Sequence, residues 1–395
     1  MQVSFSRSRR SSTDPDFAVA MVNECLTAAL ARGASDVHLQ PRSGRWEVSF
    51  RLNGVLQPFD SYDYSEQSDP VARLMALSGL PSYRSGVPQE GPLRWRDAGG
   101  TEHEMRLGIF PTVHGNRAAI RIISDRESIR HLDQLGFNAS TEEQLRSVCD
   151  SRDGWLLVAG PAGSGKTTTL YACLRYIAGS GFQRSVLTIE DPIESVIDSI
   201  SQSQLQPTSG MTLASALRAA VRQDAEVLLV SEIRDVETAE AVLAASMTGH
   251  LCFSSIHASS IGVTLRRLVQ MKLPSYAIQS GLRGILCQRL VRRLCSACSA
   301  ESSSAESNSA PNPICEGCHG TGYQGRIPIS QLLAFDGSSA GQAVFDGLVE
   351  GRSAIEIDAI AADAGIDSLH DQAARLIDQG MTDANEVFRV LGRRP

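Results

Sequence analysis

The stretch GPAGSGKTTTLY, Gly160 to Tyr171, decides the fold class of this chain. Gly160, four residues, then Gly165, Lys166 and Thr167 form the pattern of a phosphate-binding loop. Its surroundings agree with that reading. WLLVAG before it has the apolar run of a buried strand, and TTLYACLRYIA after it has helical spacing. In such a setting glycines let backbone N–H groups turn inward on phosphate oxygens, and the helix N-terminus adds its dipole. The cradle then comprises Gly160, Pro161, Ala162, Gly163, Ser164, Gly165, Lys166, Thr167 and Thr168. Lys166 is suited to neutralise the charge of β- and γ-phosphates, and Thr167 to offer a hydroxyl to Mg2+. A nucleotide is the expected ligand; the bland alternative is a glycine-rich turn.

Outward from this loop, apolar strands alternate with helices, which predicts a mostly parallel sheet and an α/β domain. GWLLVAG, SVLTIED, EVLLVSE and LCFSSIHA are its strands. Towards the N-terminus the pattern differs. Residues 16–33, DFAVAMVNECLTAALARG, have helical spacing and stop at Gly33, while SDVHLQP, RWEVSFRLNGVLQPF and RAAIRII alternate as strands do. These make a small α+β domain over 16–125, with a disordered tail at 1–15 and a linker at 126–140 that includes the connector SIRHLDQLGFNAS. The remainder, 141–395, is read as the α/β domain, ending in helices over 340–395.

Bulk properties exclude several classes. The chain has 395 residues, enough for two or three cores, with 42% hydrophobic and 21% charged residues. A net charge of −7 gives no general attraction to nucleic acid or acidic lipid. The start, MQVSFSRSRRSSTD, is basic but lacks the apolar run of a secretory signal. No apolar stretch approaches the roughly 18 residues that suggest a membrane span, so any membrane work is expected to pass through a partner.

VLLVSEIRD, Val227 to Asp235, has the form of a strand that delivers acids to magnesium and water, but its first acidic position is Ser231 and only Glu232 remains. A hydrolase needs a group to orient the attacking water, and a strand's C-terminal end in an α/β fold presents one. TIEDPIE adds Glu190, Asp191 and Glu194 at the end of another strand. The alternative for these acids is a solvated or helix-capping role.

Four blocks, GPAGSGKTTTLYA, LTIEDPIE, LRAAVRQDAEVLLVSEIRDVETAEAVLAASMTGH and LCFSSIHA, occur in the order seen in the secretion ATPases of type II secretion and type IV pilus assembly, which the chain resembles from about Ala34 onward. The resemblance implies a RecA-like ATPase domain behind a small PAS-like domain. It implies that the missing acid is a family trait: Ser231 stands where the family has Gly, and Glu232 where it has its catalytic Glu. Glu190, Asp191 and Glu194 match the acidic box. His250 and His257 of TGHLCFSSIHA match the His box, thought to sense the γ-phosphate. ASDVHLQP, PQEG and EMRLGIFPTVHGNRAAIRII resemble the family's second N-terminal domain, whose arginines reach a phosphate bound on a neighbouring subunit. Arg106, Arg117 and Arg121 take those positions; the alternative is surface arginines on an edge strand. Two departures are Asn116 for a usual Glu and Asn53 for a usual Asp, the second keeping good hairpin chemistry in Asn53–Gly54.

Cys295 and Cys298 form one C-x-x-C, and Cys315 and Cys318 form another after sixteen residues. That spacing suits four thiolates on one structural Zn2+, within a subdomain over 289–327. CEGCH also matches a c-type haem attachment string, which needs export and leaves the first pair without purpose; a redox pair is the other alternative. The Ser-rich segment between the pairs, 299–313, is expected to be mobile. Cys25, Cys149, Cys173, Cys252 and Cys287 lie in apolar patterns and read as core. Arg289, Arg292 and Arg293 in QRLVRRLC read as a solvated face or subunit contact.

The resemblance implies a cytoplasmic homo-hexamer, peripheral to the inner membrane under a platform protein, that hydrolyses ATP for pilus assembly or secretion. The tetracysteine site and LIDQGMTDANEVFRVLG favour the assembly and secretion branch over retraction. The chain begins almost at the second N-terminal domain, so docking is expected to rest on the ring. A non-hydrolysing structural component and a DNA-handling conjugation motor are the alternatives; a pI of about 5.7 and no basic stripe count against the latter.

Overall fold

The computed structural model describes residues 16–63, 69–84, 86–123, 131–206, 210–298 and 315–393. The expected tail, the first five residues of the linker and the Ser-rich segment lie outside the described residues. The chain divides into two compact units, 1–126 with 313–321, and 127–312 with 322–395.

In the first unit, helix α1 (Phe17–Ala31) is followed by β1 (Asp36–Arg42), β2 (Arg45–Leu52), β3 (Val55–Asp63), α2 (Pro70–Leu77), β4 (Gln89–Arg96), β5 (Glu102–Thr112) and β6 (Gly115–Ile122). The strands make one antiparallel sheet in the order β3-β2-β1-β6-β5-β4. Alternation sorts its faces. Val37, Leu39, Trp46, Val48, Phe50, Leu107 and Ile120 join Met21, Leu26 and Leu74 of the helices in one core. The β2–β3 hairpin turns at Asn53–Gly54, both with positive φ (48° and 83°), so Asn does what the turn needs. Helix α2 and strands β4 and β5 are additions to the sequence-based assignment.

In the second unit, a short 3₁₀ turn (Leu132–Leu135) precedes α3 (Ala139–Asp150), β7 (Gly154–Ala159), α4 (Lys166–Gly179), β8 (Val186–Glu190), β9 (Ser201–Gln204) and α5 (Leu213–Ala220). Then come β10 (Val227–Glu232), α6 (Val236–Ser246), β11 (Leu251–Ile256), α7 (Ile261–Gln270), α8 (Ser275–Gly281), β12 (Leu282–Leu294) and β13 (Tyr323–Ala334). Helices α9 (Ser339–Val349), α10 (Ala354–Asp363), α11 (Leu369–Asp378) and α12 (Ala384–Leu391) follow. The sheet order is β13-β12-β7-β11-β10-β8-β9, parallel except for β12–β13. Its central strands are apolar on both faces because helices cover both. The segment read as a connector is more than that: Leu132 and Leu135 are buried in the core with Leu170 and Leu174.

Among the described residues, no helix is long and apolar enough to cross a membrane. Burial pushes the thiols of Cys25, Cys252 and Cys287 up to about 12, as core cysteines behave, and Cys149 and Cys173 are buried too.

Candidate functional site

Strand β7 runs into the loop 160–165, and α4 begins at Lys166. The loop is packed so closely that glycine is required at two points. A Cβ on Gly160 would stand 2.4 Å from Ser164 Oγ and 2.7 Å from the Gln288 carbonyl oxygen. Gly165 has φ +91°, and a Cβ there would meet Gln288 Nε2 at 3.0 Å. Lys166 Nζ donates to the carbonyl oxygens of Gly160 (2.9 Å) and Pro161 (3.0 Å), so it lies folded over its own loop. Ser164 is buried, and its Oγ has no hydrogen-bond partner among the described residues. Pro161, Ala162, Gly163 and Thr168 are exposed, and Thr167 is half-buried at the start of α4. A loop with exposed residues at its tip, an ammonium resting on carbonyls and a hydroxyl at the helix start suits a Mg2+-bound polyphosphate.

Strand β10 carries Glu232 to the same edge of the sheet. The β10–β11 register slips between Val230 and Glu232, which leaves Ser231 as the extra residue of a bulge. Ser255 Oγ donates to the Ser231 carbonyl at 2.6 Å and holds the bulge in place. Glu232 Oε1 faces His257 Nε2 at 3.0 Å, and Oε2 accepts from Arg234 Nε at 2.8 Å. Arg267 Nη1 donates to the His257 carbonyl at 2.6 Å. Burial depresses the pKa of Lys166, opposed by the nearby carboxylates of Glu232 and Glu194 and reinforced by Arg289. Residues far apart in sequence therefore converge on the cradle.

Two expected members are placed otherwise. Glu190 ends β8 but is closed off: Thr188 Oγ1 (2.6 Å) and Gln202 Nε2 (3.0 Å) donate to Oε1, and Tyr171 Oη donates to Oε2. It is 2% exposed, so magnesium or water handling by Glu190 is not supported in this arrangement. Asp191 and Glu194 behind it are exposed, and the Glu194 N–H donates to Tyr171 Oη at 3.2 Å. His250 is at the wrong end of its strand. It precedes β11, accepts from Gly154 N through its carbonyl, and turns Nδ1 to the Ala245 oxygen at 3.2 Å. His257 follows the same strand, about 20 Å away at the usual rise, so the two histidines do not share a site in one chain.

The three arginines lie on the sheet of the first unit. Arg106 and Arg121 face each other across β5 and β6, and Asp36 is next to Arg121 in the ladder. Arg106 pairs with Glu90 and Arg121 with Asp36, both at 3.3 Å, and Arg121 is 75% exposed. Arg117 Nη2 lies 3.2 Å from His38 Nδ1. Like charges set opposite each other cost stability unless a partner offsets them.

Sulfur atoms of Cys295, Cys298, Cys315 and Cys318 all lie within 4.8 Å of one another, as four thiolates around one Zn2+ require. A tight turn spans the first pair, where Cys298 N donates to the Cys295 carbonyl, and another follows the second, where Thr321 N donates to the Cys318 carbonyl. The basic cluster beside the first pair needs correction. Arg289 is buried, and Arg292 binds fully buried Glu386 through Nε (2.9 Å) and Nη2 (2.8 Å) while its guanidinium lies 3.8 Å from the Tyr323 ring centre. Of the three, Arg293 alone is exposed. An arginine-rich string looks solvated in sequence, but the Ser259 carbonyl and Glu386 that receive these side chains come from distant segments.

Sequence reasoning also passed over Gln288, Arg234 and Arg267. The signal for Gln288 was a polar pair, Gln-Arg, interrupting the apolar run of ILCQRLV.

Comparisons with known proteins show the family of the chain. The chain is 34% identical over 390 residues to the type IV pilus assembly ATPase PilB of Thermus thermophilus, covering 95% of this chain and 43% of that protein. It is 34% identical over 392 residues to the type II secretion system ATPase E of Vibrio cholerae, covering 94% of this chain and 75% of that one. The chain thus spans less than half of the first relative and three quarters of the second. The X-ray structure of the ATPase DotB of Yersinia pseudotuberculosis shares the fold, with a TM-score of 0.72 at 22% identity over 98% of this chain and 96% of that one. A family model described as type II/IV secretion system protein matches residues 11–389, and the chain belongs to that family.

Proposed function

We propose that this chain is a motor ATPase that hydrolyses MgATP to drive type IV pilus assembly or type II secretion. The observation that carries the reading is the meeting of Lys166, Glu232 and His257 at one sheet edge, each from a different segment. On this reading Lys166 exchanges the carbonyls of Gly160 and Pro161 for β- and γ-phosphate oxygens, and the loop N–H groups bind the rest. Bound Mg2+, held with help from Thr167, would offset phosphate charge. Glu232 orients the attacking water, and His257 and Arg234 set the position and charge of its two oxygens.

The chain acts as a cytoplasmic homo-hexamer, peripheral to the inner membrane, with a platform protein as partner. Arg106, Arg117 and Arg121 serve a neighbour's phosphate, a task suited to a fixed cation with a planar fork. Zn2+ on the four cysteines is structural, since four thiolates leave no open position. The test is a mixed ring. Arg121→Ala and Lys166→Ala chains are each inactive alone and recover part of the ATPase activity when co-assembled; co-assembled rings without recovery contradict completion of the site in trans. A purified parent chain without ATPase activity in any oligomer overturns the motor reading. Protein purified without chelators should carry about one zinc per chain, and a metal-free preparation would sink the zinc assignment.

A further inference from the structure

Strand β12 carries Gln288 and Arg289 side by side, and successive residues of a strand face opposite sides of the sheet. Core membership shows which side is which. Leu286 packs with Leu170 and Leu174 of α4, the helix that follows the cradle, while Ile285 and Cys287 pack with Ile261 and Leu265 of α7, the helix after His257. By the same alternation Gln288 faces the cradle side and Arg289 the His257 side.

Their hydrogen bonds follow that division. Gln288 Nε2 donates to the Ser164 carbonyl at 2.7 Å, and its Oε1 accepts from Thr169 Oγ1 at 3.0 Å. One side chain thus ties the loop to the first turn of α4, and it is 1% exposed. The backbone is as close: the Gln288 carbonyl forbids a Cβ at Gly160, while the side-chain Nε2 crowds Gly165. Arg289 Nη2 donates to the Ser259 carbonyl at 2.8 Å, two residues beyond His257, and Nη1 donates to the Gln288 carbonyl at 2.9 Å. Burial lowers the pKa of Arg289, which fits a guanidinium spent on two carbonyl oxygens.

We propose that Gln288 and Arg289 are a paired positioning device: Gln288 holds the phosphate loop in its binding shape, and Arg289 holds the His257 loop in register with it. This rests on the ATPase reading of the site and adds a residue-level division of labour. Gln288 supports a loop that contacts nucleotide before reaction, so its loss weakens binding. Arg289 supports the loop that sets Glu232, so its loss slows turnover at saturating nucleotide.

The experiment measures ATP-analogue affinity by fluorescence, steady-state kcat and KM, and thermal melting, on the full chain. Gln288→Met, close in volume but unable to hydrogen-bond, should weaken analogue binding and raise KM about tenfold with kcat changed less than threefold. Thr169→Val removes the same bond from the other side and should shift affinity in the same direction by a smaller factor. Arg289→Met should lower kcat about tenfold with affinity near that of the parent, and Arg289→Lys, which can still reach one carbonyl, should recover part of it. If Gln288→Met does not fold, Thr169→Val and Arg289→Lys decide by the same split. Lys166→Ala is run alongside. Parent-like nucleotide binding by Lys166→Ala overturns the cradle reading itself. Lost binding in Lys166→Ala with parent-like affinity in Gln288→Met and Thr169→Val, or equal shifts of kcat and KM in the Gln288 and Arg289 variants, overturns this proposal alone.

Discussion

Glu190 and Glu232 end neighbouring parallel strands, yet their surroundings make them opposites. Glu190 is 2% exposed, and both its oxygens are taken by uncharged donors that belong to the packed interior. Glu232 is lifted by a one-residue bulge to the rim, where its partners are the half-exposed side chains His257 and Arg234. A buried carboxylate saturated by fixed donors organises structure; a rim carboxylate held by ionisable groups that can move is available for chemistry. Strand-end position alone does not separate the two roles. The number and kind of donors do.

Glu386 extends the comparison. It is fully buried and bound by Arg292 and Arg389, with Arg389 in two-pronged contact at 2.6 and 2.7 Å. Glu386→Gln should cost about 3 kcal/mol, as breaking a buried ion pair does, measured by urea unfolding at pH 7. Burial raises the Glu386 pKa, but the hydrogen bonds of Arg389 and Arg292 outweigh it and leave the carboxyl below its ordinary value of 4.5. The stability from this group is therefore complete above that ordinary value and lost as pH falls through the lower folded one. The gap between parent and Glu386→Gln should narrow on acidification below about pH 4.5; a constant gap would mean the carboxylate is not what the arginines hold.

Glu190→Gln should lose about 2 kcal/mol, because an amide group then opposes donors that need an acceptor. Its melting temperature should fall, while turnover per folded chain changes little. His257→Ala should slow turnover about tenfold, or 1.4 kcal/mol, by freeing one oxygen of Glu232. His250→Ala should do less within one chain, and an equal loss would show that the far end of β11 acts on a neighbour's site. The smallest effect belongs to Ser231→Gly: the bulge is held through the Ser231 carbonyl, not its side chain, so stability should move by less than about 0.5 kcal/mol.

Most of the parallel sheet was legible because its strands are continuous apolar runs next to a loop with a strict glycine pattern. Helix α3 was not, since ASTEEQLRSVCD buries few apolar residues and reads as polar connector. The pairing of β12 with β13 spans the Ser-rich segment, and nothing local signals a partner so distant. At the site, Lys166, Glu232 and His257 were found by motif. The separation of His250 from His257 was hidden because seven positions in sequence look close until a strand stretches them. Gln288 was passed over and Arg289 misjudged because polar residues inside an apolar strand do not reveal which carbonyls they meet. The tetracysteine cluster was legible from spacing alone, since each C-x-x-C fixes two sulfurs locally.

The most direct test of the central claim is ATP hydrolysis by Glu232→Gln and Glu190→Gln, measured side by side in single turnover on folded protein with binding followed separately. Glu232→Gln should bind ATP as the parent does and hydrolyse it about a hundredfold more slowly or worse, while Glu190→Gln stays within about tenfold of the parent. Normal hydrolysis by Glu232→Gln, or a larger loss in Glu190→Gln, would contradict the assignment of the water-orienting role to the carboxylate on the rim.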